Sequence, residues 1–491
     1  LENSITPIRG SMVKTTLPGA PSRSLTDSPP IRFGTDGWRG RIAEEFTTSG
    51  VRRCAAGIAA HLHEIGKESS PVVIGFDGRF LSGRFAREVA LHLASERFVP
   101  VLSPAPIPTP ALSWRAATAG ASLGIMITAS HNPPEYNGLK LKSSDGGTLD
   151  PEETENIARL IPAADPGPSD EEDLATHPSF LPSYLKALKD RVHHKEIRAS
   201  RMKLVHDAMH GMGGNLLGQL LSGAALKVIP VRSEPDPLFG GSSPEPMARH
   251  LATLFQEVRK QRAAAGFATD GDADRMAACD EKGRFLSPLT LLPVLAQHFI
   301  EVRGERGGIA KTFAGSLRME RIARRHGLPF YDLPVGFKHV ASLLRRKEIL
   351  LGGEESGGFG FRGFLPERDG ILSSLFILEA MVLADMPLSG LVARMEKAYG
   401  RFAYDRLDLE SSPAEGKRRA QSLSAAPPKQ IAGMRVTGVN GLDGVKLLFD
   451  EDGWVLFRQS GTEPVLRLYC EAPSQKIVPA VLRQAARLVQ R

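Results

Sequence analysis

Short apolar and β-branched runs recur along the chain, and each is followed by a stretch of amphipathic character. Val72–Phe76 precedes Gly83–Ser95, Lys203–Ala208 precedes Gly213–Ser222, and Gly308–Thr312 precedes Ser316–Arg325. Strand alternating with helix predicts parallel sheets covered on both faces. The alternation persists to about residue 385, too far for one doubly wound unit, and predicts three α/β units. Breaks are expected in the Pro- and acid-rich segment Pro162–Asp173, after the turn Asp280–Gly283 where Pro288 opens a new helical pattern, and near Gly400. The expected domains are therefore 12–165, 166–285, 286–399 and 400–491. Beyond Gly400 come Phe402–Leu409, a Pro427-Pro428 punctuation, alternating runs at Met434–Val439, Val445–Phe449 and Trp454–Phe457, and a closing helix from Ser474, which predict a small α+β domain. Three units of about 120 residues fit distant copies of one fold.

A chain of 491 residues is about three times a usual domain of roughly 150. With 42% hydrophobic and 24% charged residues it reads as an ordinary globular composition. The net charge of +7 suits a phosphorylated substrate at least as well as nucleic acid. Lys and Arg are dispersed and aromatics are few, so no nucleic-acid partner is expected. Cys54, Cys279 and Cys470 stand far apart with no CxxC spacing, which points to a reducing, cytoplasmic setting. The longest apolar candidate, Ile371–Leu388, is interrupted by Ser373, Ser374, Glu379 and Asp385 and is expected to be an amphipathic helix rather than a membrane span. Residues Leu1–Ser11 read as an appended remnant with no signal-peptide core.

Four loops carry candidate chemistry. Gly124-Ile-Met-Ile-Thr128-Ala129-Ser130-His131-Asn132-Pro133-Pro134 is a strand that ends in a hydroxyl-rich, proline-stopped loop. Open α/β sheets bind ligands at such ends. Ser130 is a candidate nucleophile or phosphoryl carrier, with His131 and Lys140 as proton-transfer or charge-stabilising partners. Asp270-Gly-Asp272-Ala-Asp274-Arg275 offers three carboxylates at alternate positions, suited to one hard cation. Glu281 falls at the twelfth place of an EF-hand count, but Arg275 stands where that loop needs Gly, so Mg²⁺ is favoured over Ca²⁺. Gly352-Gly353-Glu354-Glu355-Ser356-Gly357-Gly358 has the polar equipment to grip sugar hydroxyls. Arg458-Gln-Ser460-Gly461-Thr462-Glu463-Pro464, with Arg467 beyond it, describes a phosphate cradle. Gly211–Gly214 lacks both nucleotide-loop spacings and is expected to open a helix.

In this order the four loops resemble the α-D-phosphohexomutase superfamily. Arg32-Phe-Gly-Thr-Asp36-Gly-Trp-Arg39-Gly40 and Pro334-Val-Gly336-Phe-Lys338-His339 match it too, so the resemblance runs from about residue 31 to 475. It implies an α/β protein of four domains, heart-shaped around a central cleft: three related α/β mixed-sheet domains and a C-terminal α+β domain. It further implies that Ser130 is phosphorylated in the active form and that Asp270, Asp272, Asp274 and the phosphoserine hold Mg²⁺. Arg275 and Arg39 stabilise charge there, and Lys140 acts as general acid/base with His131 in support. Glu354 and Ser356 hold sugar hydroxyls, while Arg458, Ser460, Gly461, Thr462 and Arg467 hold the phosphate not being transferred. Gly336, Lys338 and Arg368 are further substrate contacts.

The implied reaction interconverts glucose 1-phosphate and glucose 6-phosphate through a bisphosphate, with glucose 1,6-bisphosphate as activator. The protein is expected to be a monomer or dimer working on a small sugar phosphate, with no nucleic-acid or membrane partner. Gly358 stands where dual-specificity phosphomannomutase/phosphoglucomutases usually carry His, and Glu355 where phosphoglucosamine mutases usually carry Gln; both departures favour glucose. Phosphomannomutase, phosphoglucosamine mutase and glucose 1,6-bisphosphate synthase are the alternatives within the family, and a phosphatase is the nearest rival outside it.

Overall fold

The computed structural model describes residues 30–490 apart from 35, 171–173, 222–224, 451–452 and 462–463. Leu1–Ser11 and Thr462, both singled out from sequence, lie outside the described residues.

Three sheets repeat one topology. The first contains β1 (Trp38–Arg41), β2 (Pro71–Phe76), β3 (Val99–Leu102), β4 (Leu123–Ile127) and β5 (Tyr136–Lys142), in the order β1-β5-β4-β2-β3. The second contains β6 (Lys203–Asp207), β7 (Lys227–Val231), β8 (Ala265–Thr269), β9 (Met276–Asp280) and β10 (Phe285–Leu286), ordered β10-β9-β8-β6-β7. The third contains β11 (Gly308–Thr312), β12 (Phe330–Leu333), β13 (Ile349–Gly353) and β14 (Phe359–Phe361), ordered β12-β11-β13-β14. In every unit the first strand of the parallel set lies between the second and the third, all three parallel, and the next strand pairs antiparallel with the third.

That antiparallel member makes each sheet mixed, as the resemblance implies. Parallel neighbours need a crossover of a dozen or more residues, usually a helix. Residues 128–135, 270–275 and 354–358, which join the third parallel strand to its antiparallel neighbour in each unit, are too short for one. These three connections are the serine, aspartate and sugar loops.

Side chains alternate between the faces of the first sheet as the strand period requires. Val72, Ile74, Ile125 and Ile127 pack beneath the helices Thr48–Glu64 and Ser82–Ser95, while Val73 and Met126 face a larger core. That core continues through Leu204 and Phe267 of the second unit to Leu350 and Phe376 of the third.

The helix expected to be amphipathic over Ile371–Leu388 spans Gly370–Leu383 and is buried nearly all round. Its polar residues are satisfied internally. Ser373 Oγ donates to the Asp369 carbonyl at 2.6 Å and Ser374 Oγ to Gly370 at 2.8 Å. Glu379, fully buried, pairs with His298 and Arg303, both at 2.7 Å, and accepts from the His193 N–H at 2.7 Å. Among the described residues no single helix is long and apolar enough to cross a membrane. The pair Gly370–Leu383 and Leu388–Tyr399 together has the length, but bends by 85°.

The fourth unit is antiparallel throughout. Its strands are β15 (Ala403–Glu410), β18 (Gly438–Asn440), β19 (Val445–Leu448), β20 (Trp454–Gln459) and β21 (Val465–Ala472), ordered β15-β21-β20-β19-β18. A separate hairpin is formed by β16 (Gln430–Ile431) and β17 (Met434–Arg435). Helices Pro413–Ala425 and Ile477–Gln490 cover the main sheet. Trp454, Leu456 and Tyr469 of this unit share an apolar cluster with Leu289, Phe313 and Ala314, which welds it to the third unit.

Candidate active site

The serine, aspartate and sugar loops meet one another. Ser130, fully buried at the end of β4, takes a left-handed backbone (φ 54°) and donates from Oγ to Asp270 Oδ2 at 2.9 Å. A Cβ on Gly271 would lie 2.4 Å from the Ser130 carbonyl, so only glycine lets the aspartate loop approach this closely. On its other side the Met276 N–H donates to the Gly357 carbonyl at 3.0 Å, joining that loop to the sugar loop.

Asp270, Asp272 and Asp274 are fully buried, and each brings a carboxylate oxygen within 4.8 Å of the others. Asp272 Oδ1 and Asp274 Oδ1 are buried with no hydrogen-bond partner. Buried oxygens left unpaired in this way are costly unless something compensates them. A hard divalent cation such as Mg²⁺ fits this all-oxygen donor set. Burial, reinforced by Asp272 and Asp274, pushes the Asp270 carboxyl well above its usual range.

Cations hold the other oxygens. Lys140 Nζ donates to Asp272 Oδ2 at 2.8 Å and to Asp274 Oδ2 at 2.9 Å, and lies 3.1 Å from Asp36 Oδ2. Burial alone would discharge this amine, but the three carboxylates outweigh it and raise its pKa. Burial also raises Asp272, yet Lys140 and a 2.6 Å hydrogen bond from Thr109 Oγ1 prevail and hold it below the usual carboxylate range. Arg368 reaches Asp274 at 2.9 Å and Glu354 at 3.4 Å, and pairs with Asp36 as well. Arg275 donates its backbone N–H to Asp270 at 3.0 Å, and its side chain lies 3.7 Å from Asp274. Arg39 donates to Asn132 Oδ1 at 2.7 Å beside the serine. His131 Nδ1 lies 3.4 Å from Ser130 Oγ. Burial and the nearby charges of Arg275, Arg39, Arg467 and Arg406 push its pKa well below the usual histidine value.

In the sugar loop Glu354 is buried and its pKa raised by that burial, while Ser356 Oγ is buried without a hydrogen-bond partner. Gly336 caps the helix Phe337–Arg345 with φ 127°, and Lys338 on that helix lines a cavity of about 400 Å³ together with Gly461 and Arg32. Arg458 Nε donates to Asp443 at 2.8 Å, and the same carboxylate accepts from the Val335 N–H at 2.8 Å, tying the cradle to the turn before Gly336. Arg458 and Arg467 sit opposite each other on β20 and β21, with buried Ser460 just beyond.

Several contributors escape the motif reading. Asp36 pairs with Lys140, Lys142 and Arg368, yet it stood only as a letter within the opening motif. Thr109, Arg406, the Asp77/Arg79 pair and Glu367, which pairs with Lys142 and Arg368, stand outside the roles read from the motifs. The signal for Asp77 and Arg79 was their position directly after β2, at the carboxyl end of a central strand.

Four successive domain profiles match the chain in order. They are phosphoglucomutase/phosphomannomutase α/β/α domain I over residues 30–167, domain II over 182–283, domain III over 288–399 and the C-terminal domain over 420–488. The chain belongs to the phosphoglucomutase/phosphomannomutase family. Members are mutases that move a phosphoryl group within a substrate, and the chain is an enzyme of that kind. A phosphoglucomutase/phosphomannomutase of Thermococcus kodakarensis is 32% identical over 460 residues, covering 93% of this chain and 98% of that protein. A probable phosphoglucosamine mutase of Methanothermobacter thermautotrophicus is also 32% identical, covering 92% of this chain and 96% of that protein. The crystal structure of a putative phosphomannomutase from Thermus thermophilus is 37% identical, with a TM-score of 0.85 over 94% of this chain and 100% of that one. The phosphoglucomutase/phosphomannomutase family thus includes relatives named for different sugars.

Proposed function

We propose that this enzyme interconverts glucose 1-phosphate and glucose 6-phosphate through phosphoSer130 and glucose 1,6-bisphosphate. The observation that carries the reading is the buried Ser130 Oγ donating to Asp270 at 2.9 Å, inside a ring of carboxylates and cations. Asp270, Asp272 and Asp274, with the phosphoserine, are the residues that would hold Mg²⁺, which neutralises charge on the transferred phosphoryl group. A loose phosphoryl transition state asks mainly for positioning and charge neutralisation, and Arg275, Arg39 and Lys140 supply both.

In the first transfer the bond from phosphorus to Ser130 Oγ breaks as one forms to the free sugar hydroxyl. Lys140, kept protonated by its carboxylates, is suited to give a proton to the departing Oγ and to take up the one that the sugar hydroxyl loses. In the return transfer Ser130 Oγ attacks the other phosphorus, the bond from that phosphorus to the sugar oxygen breaks, and the Ser130 proton passes through Lys140 to the leaving sugar oxygen, with the His131 ring 3.4 Å from Oγ in support. Between the two transfers the bisphosphate turns end for end. Glu354 and Ser356 grip the hydroxyls, Gly336, Lys338 and Arg368 line the approach, and Arg458, Ser460, Gly461, Thr462 and Arg467 hold the idle phosphate.

For the sugar, Gly358 supports glucose. A Cβ there would lie 2.2 Å from Arg368 Cδ, so Arg368 fills the room that a larger side chain needs and reaches Glu354 through it. A cytoplasmic enzyme acting on free sugar phosphates accords with three buried free cysteines.

The test is a coupled assay for glucose 6-phosphate formed from glucose 1-phosphate, with Mg²⁺ and a trace of glucose 1,6-bisphosphate. Mannose 1-phosphate, glucosamine 1-phosphate and the Ser130→Ala variant run beside it. Glucose turnover well above the other two supports the reading. Negligible glucose turnover by a protein phosphorylated at Ser130 moves the assignment to another sugar or to bisphosphate synthesis, and steady release of inorganic phosphate moves it to a phosphatase.

A further inference from the structure

The loop that presents Ser130 is irregular backbone inside the protein, and its carbonyls need donors. One side chain supplies them. Arg79, 3% exposed, donates to the carbonyl oxygens of Ser130 at 2.7 Å, Asn132 at 2.6 Å, Pro133 at 2.8 Å and Tyr136 at 3.0 Å. Its Nε lies 3.2 Å from Asp77. Asp77 in turn accepts from Thr128 Oγ1 at 2.6 Å, and that same Oγ1 accepts from the Ser130 N–H at 2.9 Å. Ser130 is therefore held at both of its peptide groups by one buried ion pair: through Thr128 to Asp77 on the N–H side, and directly by Arg79 on the carbonyl side. The ring of the second unit's Phe239 covers the guanidinium with 4.7 Å from its carbon to the ring centre, and Ser243 Oγ of that unit donates to the His131 carbonyl at 2.6 Å.

We propose that Asp77, Arg79 and Thr128 form the positioning element of the nucleophile. It holds Ser130 in its left-handed turn so that Oγ keeps one direction whether or not it carries a phosphoryl group. The proposal rests on the phosphoserine reading above. None of the three side chains is assigned contact with the substrate; they act through the backbone of Ser130. A phosphoryl group arriving on Oγ adds close to two negative charges beside three aspartates and the Mg²⁺ they would share, so the pull on the loop changes and tends to move it. A planar fork that sets the four N–H groups of its two terminal nitrogens on four carbonyls and turns Nε to Asp77 resists that movement, and an ammonium with three donors on a flexible stem does not.

The experiment uses the full-length enzyme with Mg²⁺ and glucose 1,6-bisphosphate carrying labelled phosphate. It measures the rate of label transfer to Ser130 together with kcat and KM for glucose 1-phosphate. Arg79→Lys is expected to lower kcat and the labelling rate together by about 100-fold, the order of loss for a reacting group misplaced by about 1 Å, with KM moving less than about three-fold. Thr128→Val breaks the link to the Ser130 N–H without changing volume and is expected to show the same split between kcat and KM, while Thr128→Ser, which keeps the hydroxyl, recovers most of the loss. If Arg79→Lys does not fold, the Thr128 pair decides alone. Equal kcat for Thr128→Val and Thr128→Ser, or an Arg79→Lys loss carried by KM, overturns the inference. Wild-type enzyme that takes no label at Ser130 overturns the phosphoserine reading and this inference with it.

Discussion

Replacing Asp270 with Asn separates what the aspartate cluster does for function from what it costs in stability. The three carboxylates approach within 4.8 Å. At that spacing and an effective dielectric near 20, two like charges repel by about 3 kcal/mol. Lys140, Arg275 and Arg368 offset much of this, yet burial and the other two aspartates still drive Asp270 towards its protonated form. Asn has the same shape, and its carbonyl can accept from the Arg275 N–H as Asp270 does at 3.0 Å. Removing the charge should therefore raise stability without divalent cation by about 1–2 kcal/mol, a melting shift of about 1–2 °C for a chain of 491 residues. With Mg²⁺ the ranking reverses. At about 100 times its dissociation constant a bound ion stabilises the native state by about 2.7 kcal/mol, and the variant lacks most of that gain. The assay is thermal unfolding of both proteins in EDTA and in a Mg²⁺ series. The same ranking in both buffers, or a Mg²⁺ shift in Asp270→Asn equal to that of the wild type, would refute the reasoning.

Other outcomes follow from single side chains. Ser130→Ala should abolish turnover in the coupled assay while circular dichroism and melting stay close to wild type; normal turnover by the folded variant excludes the phosphoserine route. Glu379 has its pKa lowered to about 2, because His298, the His193 N–H and Arg303 together outweigh its burial. Its contribution of about 3 kcal/mol is fully present above pH 4.5 and is lost as pH falls towards 2, so Glu379→Gln should be less stable at pH 7 and match wild type near pH 2 in denaturant titrations. Lys446 is buried 3.8 Å from the Phe313 ring centre, and that burial drives its pKa well below the usual lysine value. Since the unfolded chain carries the charge at neutral pH, this amine costs stability below pH 10; Lys446→Met should raise the melting temperature at pH 7, with the gain shrinking above pH 10.

Much of this fold was open to reading because local pattern and global structure agree: Val72–Phe76, Lys203–Ala208 and Gly308–Thr312 are central strands, and the loops that end strands of these sheets meet in the site. What escaped was set by partners far away in the chain. Arg368 finds Asp36 332 residues away, and no spacing along the sequence signals that pairing. The helix from Gly370 misled for a related reason. Ser373 and Ser374 bond back to their own helix and Glu379 meets Arg303 and His298 from another segment, so polar letters that suggest a wet face sit in a dry core. The antiparallel strands are legible only through the resemblance, because strand–helix alternation marks parallel neighbours alone and the short connections have the composition of ligand loops.

The three loops with distinct chemistry occupy one address, the hairpin between the third parallel strand and its antiparallel neighbour, copied three times along the chain. Each hangs from its own sheet. Residues 354–358 lie outside the ladder of β13 and β14, and they meet the aspartate loop through the Met276 N–H on the Gly357 carbonyl and through Arg368, which Glu354 and Asp274 share. A change in one hairpin therefore reaches its neighbour through those shared contacts, while the sheet that carries it stays paired.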